Sequence, residues 1–432
     1  MFLVHSFSSL VLVALLSTTV TAAWADQALT LQEAQQITLR RSLELTALEA
    51  SAAAARHSAA AAGQLPDPVL RLGLDNVPLN GPERFTLTRE FMTMARVGVM
   101  QEITRSDKRR ARSARFEREG DAVRAARLLA QTNLRRNAAQ AWLEQHFQQS
   151  LVELLRTQRG EAGLQIEAAD SAYGSGRGTQ ADVFAARSAL AQIDDRIELA
   201  QAQIAAARTM LARWVGPDAE RPLAAAPDLS TLRLDTTRLQ VEVQRHAQIA
   251  MLLGDEAVAL AEVDIARSNK RGDWSVELMY SQRGSAYSNM LSLGASIPLQ
   301  WDQKNRQDRE LAAKLAQVER LRAQREEVSR ELLAQAQTWF QLWQGNRQRL
   351  NRYDQTIIPL AAERTRATLA AYRGGSSPLN VVLEARRGEI EARLDRLRLD
   401  TETAGLWVQL NFLTPDEQDR LAWITTVTFT EP

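Results

Sequence analysis

Two stretches of the chain carry the same turn pattern: residues 172–187 read AYGSGRGTQADVFAAR, and residues 371–386 read AYRGGSSPLNVVLEAR. Both begin with Ala-Tyr, place glycine fifth and valine twelfth, and end with Ala-Arg. Glycine tolerates the positive φ that often ends a helix, and Thr179 or Ser377 could cap the helix that follows. The pattern therefore predicts a tight reversal between two helices, made twice.

The segments around these turns are typical of long helices. They are built from Ala, Leu, Arg, Gln and Glu, and Pro359 is the exception to a near absence of proline. The predicted helical segments are residues 107–172, 181–214, 304–371 and 381–412. Helices of this length exceed those of ordinary globular domains and favour a coiled-coil-like assembly.

Two shorter regions, residues 68–103 and 273–299, break the helical pattern. Partial alternation of apolar and polar residues, with Gly- or Pro-bearing connections, predicts a β-hairpin in each. Two hairpins cannot close a barrel by themselves, so a barrel would need several chains. The alternative is a pair of surface hairpins on a helical domain.

Further landmarks repeat between the halves of the chain. Gly98 and Lys108 match Gly294 and Lys304 at an offset of 196 residues, and Trp142 matches Trp339 at 197. We therefore predict two structural repeats, each a helix, a β-hairpin and a long helix pair. The predicted boundaries are 26–214 for the first repeat, 215–235 for a Pro-rich linker, 236–413 for the second repeat and 414–432 for a tail.

Residues 1–25 resemble a cleaved secretory signal, because an apolar run leads to the small-x-small pattern Ala23-Trp24-Ala25. A short N-terminal anchor is the alternative. Beyond residue 25 no run approaches the ~20 apolar residues of a membrane helix. Such an exported protein is either free in the periplasm or crosses an outer membrane as strands.

Composition excludes several functions. The chain has no cysteine, so it has no disulfide, thiolate metal site or cysteine-linked lipid anchor. The 53 basic and 52 acidic residues disfavour a nucleic-acid binder, and only four histidines disfavour a histidine-based centre. No nucleophile–base pattern or phosphate loop appears. We predict no enzymatic activity, no cofactor and no resident metal.

The turn residues Tyr173, Gly176 and Asp182-Val183 resemble the TolC-like outer-membrane factor family, over nearly the whole chain after residue 25. The second copy matches less fully, because Val381 stands where the first has Asp182. Residues 92–102, MTMARVGVMQE, and Pro66-Asp67-Pro68 resemble the heavy-metal-efflux, RND-associated branch of that family.

The resemblance implies a mainly α fold with a β-barrel contribution, assembled as a homotrimer. Duplicated long-helix hairpins would form a periplasmic α-barrel tunnel, and two β-hairpins per chain would enter a 12-stranded barrel in outer-membrane lipid. The function implied is the exit duct of a tripartite efflux pump, with a periplasmic adaptor and an inner-membrane RND transporter as partners. The predicted cargo is heavy-metal cations. The alternatives are a drug-efflux or type I secretion duct, or a periplasmic coiled-coil structural protein.

The same resemblance implies roles for particular residues. Asp182 and Tyr372 match a bonded pair that closes the periplasmic gate, and Glu384 matches an acid inside its mouth. An ordinary solvated glutamate is the alternative for Glu384. The tip turns would dock the adaptor, or their glycines would serve only to turn the chain. The predicted docking residues are Tyr173, Gly176, Thr179, Tyr372, Gly375 and Ser376.

Methionines cluster before and within the second predicted strand, at Met92, Met94 and Met100. Thioethers suit Cu(I), but alternating residues on a strand more often contact lipid or a neighbouring chain. We therefore expect Met92 and Met94 to face lipid or a trimer contact.

Overall fold

The computed structural model describes residues 28–417 and residue 419. The predicted signal, residues 1–25, and most of the predicted tail lie outside these residues. The helices are α1 (Leu31–Arg41), α2 (Leu43–Ala62), α3 (Ser106–Gly174), α4 (Gln180–Val215), α5 (Leu239–Gln244), α6 (Ala247–Ser268), α7 (Gln307–Arg352), α8 (Ile358–Arg373) and α9 (Leu379–Asn411). The strands are β1 (Val69–Asp75), β2 (Met94–Ile103), β3 (Trp274–Arg283) and β4 (Met290–Ser296).

The predicted mainly helical class is confirmed, and the strands form one small antiparallel sheet. Three predicted helical segments correspond to α3, α4 and α9. The fourth is divided, because a π-helical turn, Tyr353–Ile357, separates α7 from α8. Pro359 explains this division: it has no N–H, and its ring would clash with the carbonyl four residues earlier. The backbone accommodates it by a wider turn, in which the Ile358 N–H donates to the Tyr353 carbonyl.

The two predicted hairpins join in one antiparallel sheet of order β1-β2-β3-β4. The join is the pairing of β2 with β3, in which Gly98 lies opposite Met279. A Cβ on Gly98 would lie 2.5 Å from the Leu278 carbonyl oxygen and 2.6 Å from the Met279 sulfur. Glycine is therefore required at this position in the pairing of β2 with β3.

The described residues form two compact units, each built from both halves of the chain. We call residues 28–41, 134–233 and 340–410 the tip unit, because it contains both tip turns. Residues 42–133, 234–339, 411–417 and 419 form the sheet unit, which contains all four strands. None of the helices in the described part of the chain is long and apolar enough to cross a membrane.

In the tip unit, Trp142 of α3 holds the segment that precedes α1. Its side chain is fully buried, and its indole N–H donates to the Leu29 carbonyl at 3.0 Å. Leu29 is also buried and bridges Leu223 of the linker. Arg221, next to that bridge, donates to Glu33 of α1 at 2.8 Å. The buried tryptophan thus attaches the segment before α1 to α3, and the ion pair attaches the linker to α1.

In the sheet unit, an ion pair fixes the junction where strand becomes helix. Lys108 Nζ lies 2.6 Å from Asp273 Oδ2, and each side chain is only 12% exposed. The Arg105 N–H donates to the other oxygen of Asp273 at 3.1 Å. Burial alone would raise the pKa of Asp273, but these hydrogen bonds and the Lys108 charge outweigh it, so the pKa is lowered. The end of β2 and the start of β3 are held together as a result.

Replacing Trp142 with Phe tests the role of the buried indole. We expect Trp142→Phe to lower the free energy of unfolding by about 1 kcal/mol more than Trp343→Phe, because it removes a buried hydrogen bond. Trp343 is the matched control: it is 6% exposed, and its indole N–H has no hydrogen-bond partner in the described residues. Thermal melting of both variants measures the difference, and equal losses would contradict the assignment.

Candidate functional site

The first tip turn ends α3 with a helix cap made by the backbone. The Arg177 N–H donates to the Ala172 carbonyl at 2.9 Å, and the Gly176 N–H donates to Tyr173 at 3.0 Å. Gly176 has a φ of 71°, which residues with a side chain rarely adopt. These two bonds and the positive φ define a Schellman cap.

The second tip turn ends α8 in the same way. The Ser376 N–H donates to the Ala371 carbonyl at 2.9 Å, and the Gly375 N–H donates to Tyr372 at 3.0 Å. Gly375 has a φ of 74°. The two turns thus share one geometry, and in both a tyrosine supplies the carbonyl that the glycine N–H binds.

The helices that follow the turns begin differently. At α4, the Thr179 hydroxyl accepts from the Asp182 N–H at 3.2 Å, and Asp182 accepts from the Thr179 N–H at 2.9 Å. This reciprocal capping box confirms Thr179 as a cap. The expectation for Ser377 is wrong, because in the described residues its side chain makes no hydrogen bond to α9. With Val381 at the position equivalent to Asp182, α9 has no acid that could complete such a box.

An apolar cluster lies behind the turns and holds four helices together. Its buried members come from α3, α4 and α9, and Tyr372 of α8 packs against them. These members are Ala169, Val183, Ala186, Leu379 and Val382.

In front of this cluster, residues of both turns line one open groove with a volume of about 860 Å³. Five predicted residues line it: Thr179, Asp182, Tyr372, Gly375 and Ser376. Tyr173, Gly176 and Glu384 do not line it.

The predicted pair of Asp182 and Tyr372 lies along this groove without a direct bond. Within the described residues, no hydrogen bond joins the two side chains. Thr179 donates to Oδ2 of Asp182, while Oδ1 accepts no hydrogen bond in this part of the chain. The Tyr372 hydroxyl likewise has no hydrogen-bond partner among the described residues. The gate role of this pair stays a prediction.

Glu384 is exposed on α9, and its charge is partly offset. Arg364 of α8 lies 3.4 Å away, and the two side chains are 61% and 73% exposed. Pairs this exposed contribute about 0–1 kcal/mol and are screened by salt. A ring of Glu384 side chains would therefore be less negative than the sequence alone indicates.

A buried acid in α9 escaped the sequence analysis. Glu389 is 4% exposed and accepts from Arg386 at 2.9 Å and from Arg393 at 3.0 Å. Arg386 also lies 2.8 Å from Glu161 of α3. Burial alone would raise the pKa of Glu389, but the hydrogen bonds from Arg393 and Thr365 and the arginine charges lower it. The spacing of these three α9 residues, three and four apart, was the available signal.

The sheet separates charge from apolar surface. Every charged residue within the four strands lies on one face, as the cross-strand register establishes. These residues are Arg71, Asp75, Arg96, Glu102, Glu277 and Arg283. Arg96 pairs with Asp75 on this face, and Arg71 lies 3.7 Å from Glu277.

The opposite face is apolar and uncovered in the single chain. Its large side chains are between 42% and 78% exposed. They are Leu70, Leu72, Leu74, Val97, Val99, Trp274, Leu278, Tyr280, Leu291 and Leu293. Monomeric soluble proteins rarely expose a contiguous apolar surface of this kind.

The strand methionines lie on the charged face. Met94 is opposite Asp75 and Arg283, and Met100 is opposite Glu277. Met279 and Met290 share this face. The expected alternation of Met92 and Met94 along one strand is corrected, because β2 begins only at Met94, and Met94 lies on the charged face. Their contact with lipid or with a neighbouring chain stays a prediction. In the described residues, no three His, Cys, Asp or Glu side chains form a metal-binding group.

Comparisons with known proteins give the fold. No protein-family model matches the chain, and no curated protein matches it. Among solved structures, the outer-membrane channel OprN is similar with a TM-score of 0.73 and 17% identity, over 89% of this chain and 90% of that one.

Two further channel structures are similar over comparable lengths. CusC, solved in conformations that accompany folding and transmembrane channel formation, has a TM-score of 0.75 and 14% identity, over 92% of this chain and 96% of that one. The outer membrane protein VceC of Vibrio cholerae has a TM-score of 0.71 and 17% identity, over 89% and 96%. At these identities the likeness establishes a shared fold: the chain has the fold of outer-membrane channels.

Neutralising Glu389 tests the buried network in α9. We expect Glu389→Gln to lower the free energy of unfolding by about 1–3 kcal/mol at pH 7, because two arginines lose a buried counter-charge. Because the native pKa is lowered, this contribution is present above the ordinary value of 4.5 and is lost as the pH falls through the native value.

The control is Glu391→Gln, whose pair with Arg196 is 40–47% exposed. Denaturation of both variants at pH 7 and at pH below about 4 measures the effect. A loss for Glu389→Gln that does not change with pH would contradict the ionic interpretation.

Proposed function

We propose that this chain is the outer-membrane exit duct of a tripartite efflux pump, of the TolC-like type. The observation that carries the proposal is the two-faced sheet, whose exposed apolar face lies opposite a face holding every strand charge. Lipid on one side and water on the other is the environment that suits such a sheet. The fold shared with the outer-membrane channels OprN and VceC supports the same conclusion.

The proposed assembly is a homotrimer. Each chain would supply four strands to a 12-stranded outer-membrane barrel and its long helices to a periplasmic tunnel. We propose that residues 26–214 and 236–413 are two structural repeats joined by the linker 215–235. Export would use the signal in residues 1–25, and without cysteine the anchor would be protein rather than lipid. The mechanism is the opening and closing of a water-filled pore, with no covalent chemistry.

The proposed partners are a periplasmic adaptor and an inner-membrane RND transporter. The groove at the tip turns supports an adaptor site, because it is open and lined by glycines, hydroxyl side chains and one arginine from each turn, Arg177 and Arg373. The six predicted docking residues, Tyr173, Gly176, Thr179, Tyr372, Gly375 and Ser376, lie in or beside it. The shared Schellman geometry means that one adaptor surface could bind either turn.

The proposed periplasmic gate uses Asp182, Tyr372 and Glu384. Asp182 Oδ1 and the Tyr372 hydroxyl have unused hydrogen-bonding capacity within the described residues, and both residues line one groove. A bond between them would hold α4 to α8 at the turn. Glu384 with Arg364 would add a salt-sensitive contact nearby.

The proposed cargo is heavy-metal cations. Support comes from the resemblance of residues 92–102 to the metal-efflux branch, and from four methionines on the sheet face that would meet water. Thioethers are soft ligands, compatible with passage of soft cations. A drug-efflux or secretion duct uses the same scaffold and is the alternative. A periplasmic coiled-coil structural protein is disfavoured by the exposed apolar sheet face.

Single-channel recording tests the gate. We expect Tyr372→Phe to raise the open fraction about fivefold per copy, because one exposed contact contributes about 1 kcal/mol. Asp182→Ala should act in the same direction. Thr179→Ala is the control, because it weakens the cap of α4 while leaving the Asp182 charge and the Tyr372 hydroxyl in place. An unchanged open fraction in Tyr372→Phe, or an equal rise of the open fraction in Thr179→Ala, rejects the gate.

Deletion of the gene tests the cargo. We expect lower tolerance to zinc, cobalt, cadmium, copper or silver, measured as growth inhibition and restored by the wild-type chain. Unchanged metal tolerance together with greater drug sensitivity would transfer the proposal to drug efflux. Conducting trimers in outer-membrane fractions would support a duct for either cargo, whereas a periplasmic rod without pores would reject the duct itself.

A further inference from the structure

The sheet ends in two open edges. In the described residues, no strand pairs with the outer side of β1 or of β4. Unpaired edges present a row of N–H and C=O groups that invite another strand. Alternation along the sheet makes β1 antiparallel to β4, so β4 of one copy could pair with β1 of another in the ordinary antiparallel manner.

The junction of β2 with β3 shows how this chain joins two neighbouring strands to their helices. There, Lys108 near the start of α3 pairs with Asp273, which directly precedes β3. If the repeats are equivalent, the open edges should carry the same two charges without a partner in their own chain.

The acid of that pair has a counterpart before β1. Asp67 follows the end of α2 at Ala62 by five residues, as Asp273 follows the end of α6 at Ser268. Asp67 precedes Leu70 by three residues, as Asp273 precedes Val276. The side chains of Leu70 and Val276 both lie on the apolar face. The offset between the two acids is thus 206 residues, and residues at this offset lie on the same face of the sheet.

The base of the pair has a counterpart after β4. Lys304 follows Gly294 by ten residues, as Lys108 follows Gly98. Lys304 and Asp67 are both exposed, and in the described part of the chain neither side chain has a salt bridge or hydrogen bond. Their counterparts Lys108 and Asp273 are the most deeply shielded pair at the strand–helix junctions of the sheet.

The same offsets fix a register between copies. Within the chain, Gly98 of β2 lies opposite Met279 of β3. Adding 196 to the first number gives Gly294 of β4, and subtracting 206 from the second gives Gly73 of β1. Gly294 would therefore lie opposite Gly73 of the neighbouring copy. The neighbouring pairs become Leu293 with Leu74 and Ser296 with Arg71. On the apolar face, Leu293, Ala295 and Ile297 then lie opposite Leu74, Leu72 and Leu70, whereas a slip by one residue would place charges on this face.

The proposed 12-stranded barrel already brings β4 of one copy beside β1 of the partner subunit; we propose that the two strands pair in this register and that Lys304 forms an ion pair with Asp67 of the partner subunit. The inference rests on the proposed function for the number of copies, but its register and its ion pair follow from the chain's own repeats. The pairing is head-to-tail, so it closes into a ring if the rotation allows. Trp301, the counterpart of Arg105 and 87% exposed in the single chain, would be covered at the same junction.

Cysteine cross-linking tests the register, because the chain contains no native cysteine. The doubly substituted chain Arg71→Cys with Ser296→Cys places the two thiols directly opposite each other, within the ~5.5 Å that a disulfide needs. We expect covalent dimers and trimers on non-reducing gels. The control Val69→Cys with Ser296→Cys shifts the pairing by two residues to 7–8 Å, and should give about tenfold less covalent oligomer.

Charge exchange tests the ion pair in the same protein. Asp67→Lys and Lys304→Asp should each lower the temperature at which the detergent-resistant oligomer dissociates, and the double exchange should restore it. Losses that simply add in the double variant would overturn the ion pair.

Pore recording on the same samples distinguishes a wrong register from a wrong proposed function. Two results would overturn the register and leave the duct intact, both with conducting pores present. In one, the shifted control cross-links more strongly than the predicted pair; in the other, neither cysteine pair cross-links. Absence of both pores and oligomers would overturn the proposed function itself.

Discussion

A four-stranded sheet that is apolar and exposed on one face, charged on the other and open at both edges is incomplete as a single chain. Its backbone edges need partners, and its apolar face needs either lipid or protein. The helices of the sheet unit do not cover that face, because Leu72, Leu291 and Leu293 are all more than 70% exposed. Completing the sheet requires a strand at each edge and a cover for the apolar face, and in the proposed duct further copies and membrane lipid would supply them.

The proposed internal repeat would meet this need with one interaction used twice. If β1–β2 and β3–β4 are equivalent hairpins, the β2–β3 pairing inside the chain is a template for the proposed pairing between chains. β4 ends at Ser296, while its counterpart β2 continues to Ile103 along β3. Pro298 follows β4 at the position that corresponds to Glu102 of β2, at the offset of 196 residues. Proline has no N–H to donate to a neighbouring strand, so the sequence itself ends β4 earlier than β2.

The sequence predicts those features that depend on local periodicity. The long helices, the hairpins and the glycines of the turns all follow from residue spacing, and Thr179 is recognisable as a cap from its neighbours alone. Features that depend on distant partners were missed or mistaken. The burial of Glu389, the pairing of Glu384 with Arg364 and the face occupied by Met94 are each decided by residues on another element. The split of the helix at Pro359 was visible as a proline, but a π-turn rather than a break required the backbone geometry.

The two helix pairs at the tip turns are equivalent in their caps but unequal in how they are held. The first pair has a capping box at Thr179 and Asp182, which contributes about 1 kcal/mol and forms within one turn of helix. The second pair has no such box, and α8 follows a π-turn, a local irregularity that often marks a hinge. Both pairs also carry exposed cross-helix ion pairs, Arg159 with Asp194 at 2.5 Å in the first and Arg364 with Glu384 at 3.4 Å in the second. Exposed ion pairs exchange readily with water and salt, whereas a capping box is kept as long as the helix is formed. The two pairs therefore differ in local order at the turn rather than in the bonds between their helices: α4 begins with a capping box, whereas α8 begins directly after a π-turn and α9 begins without such a box.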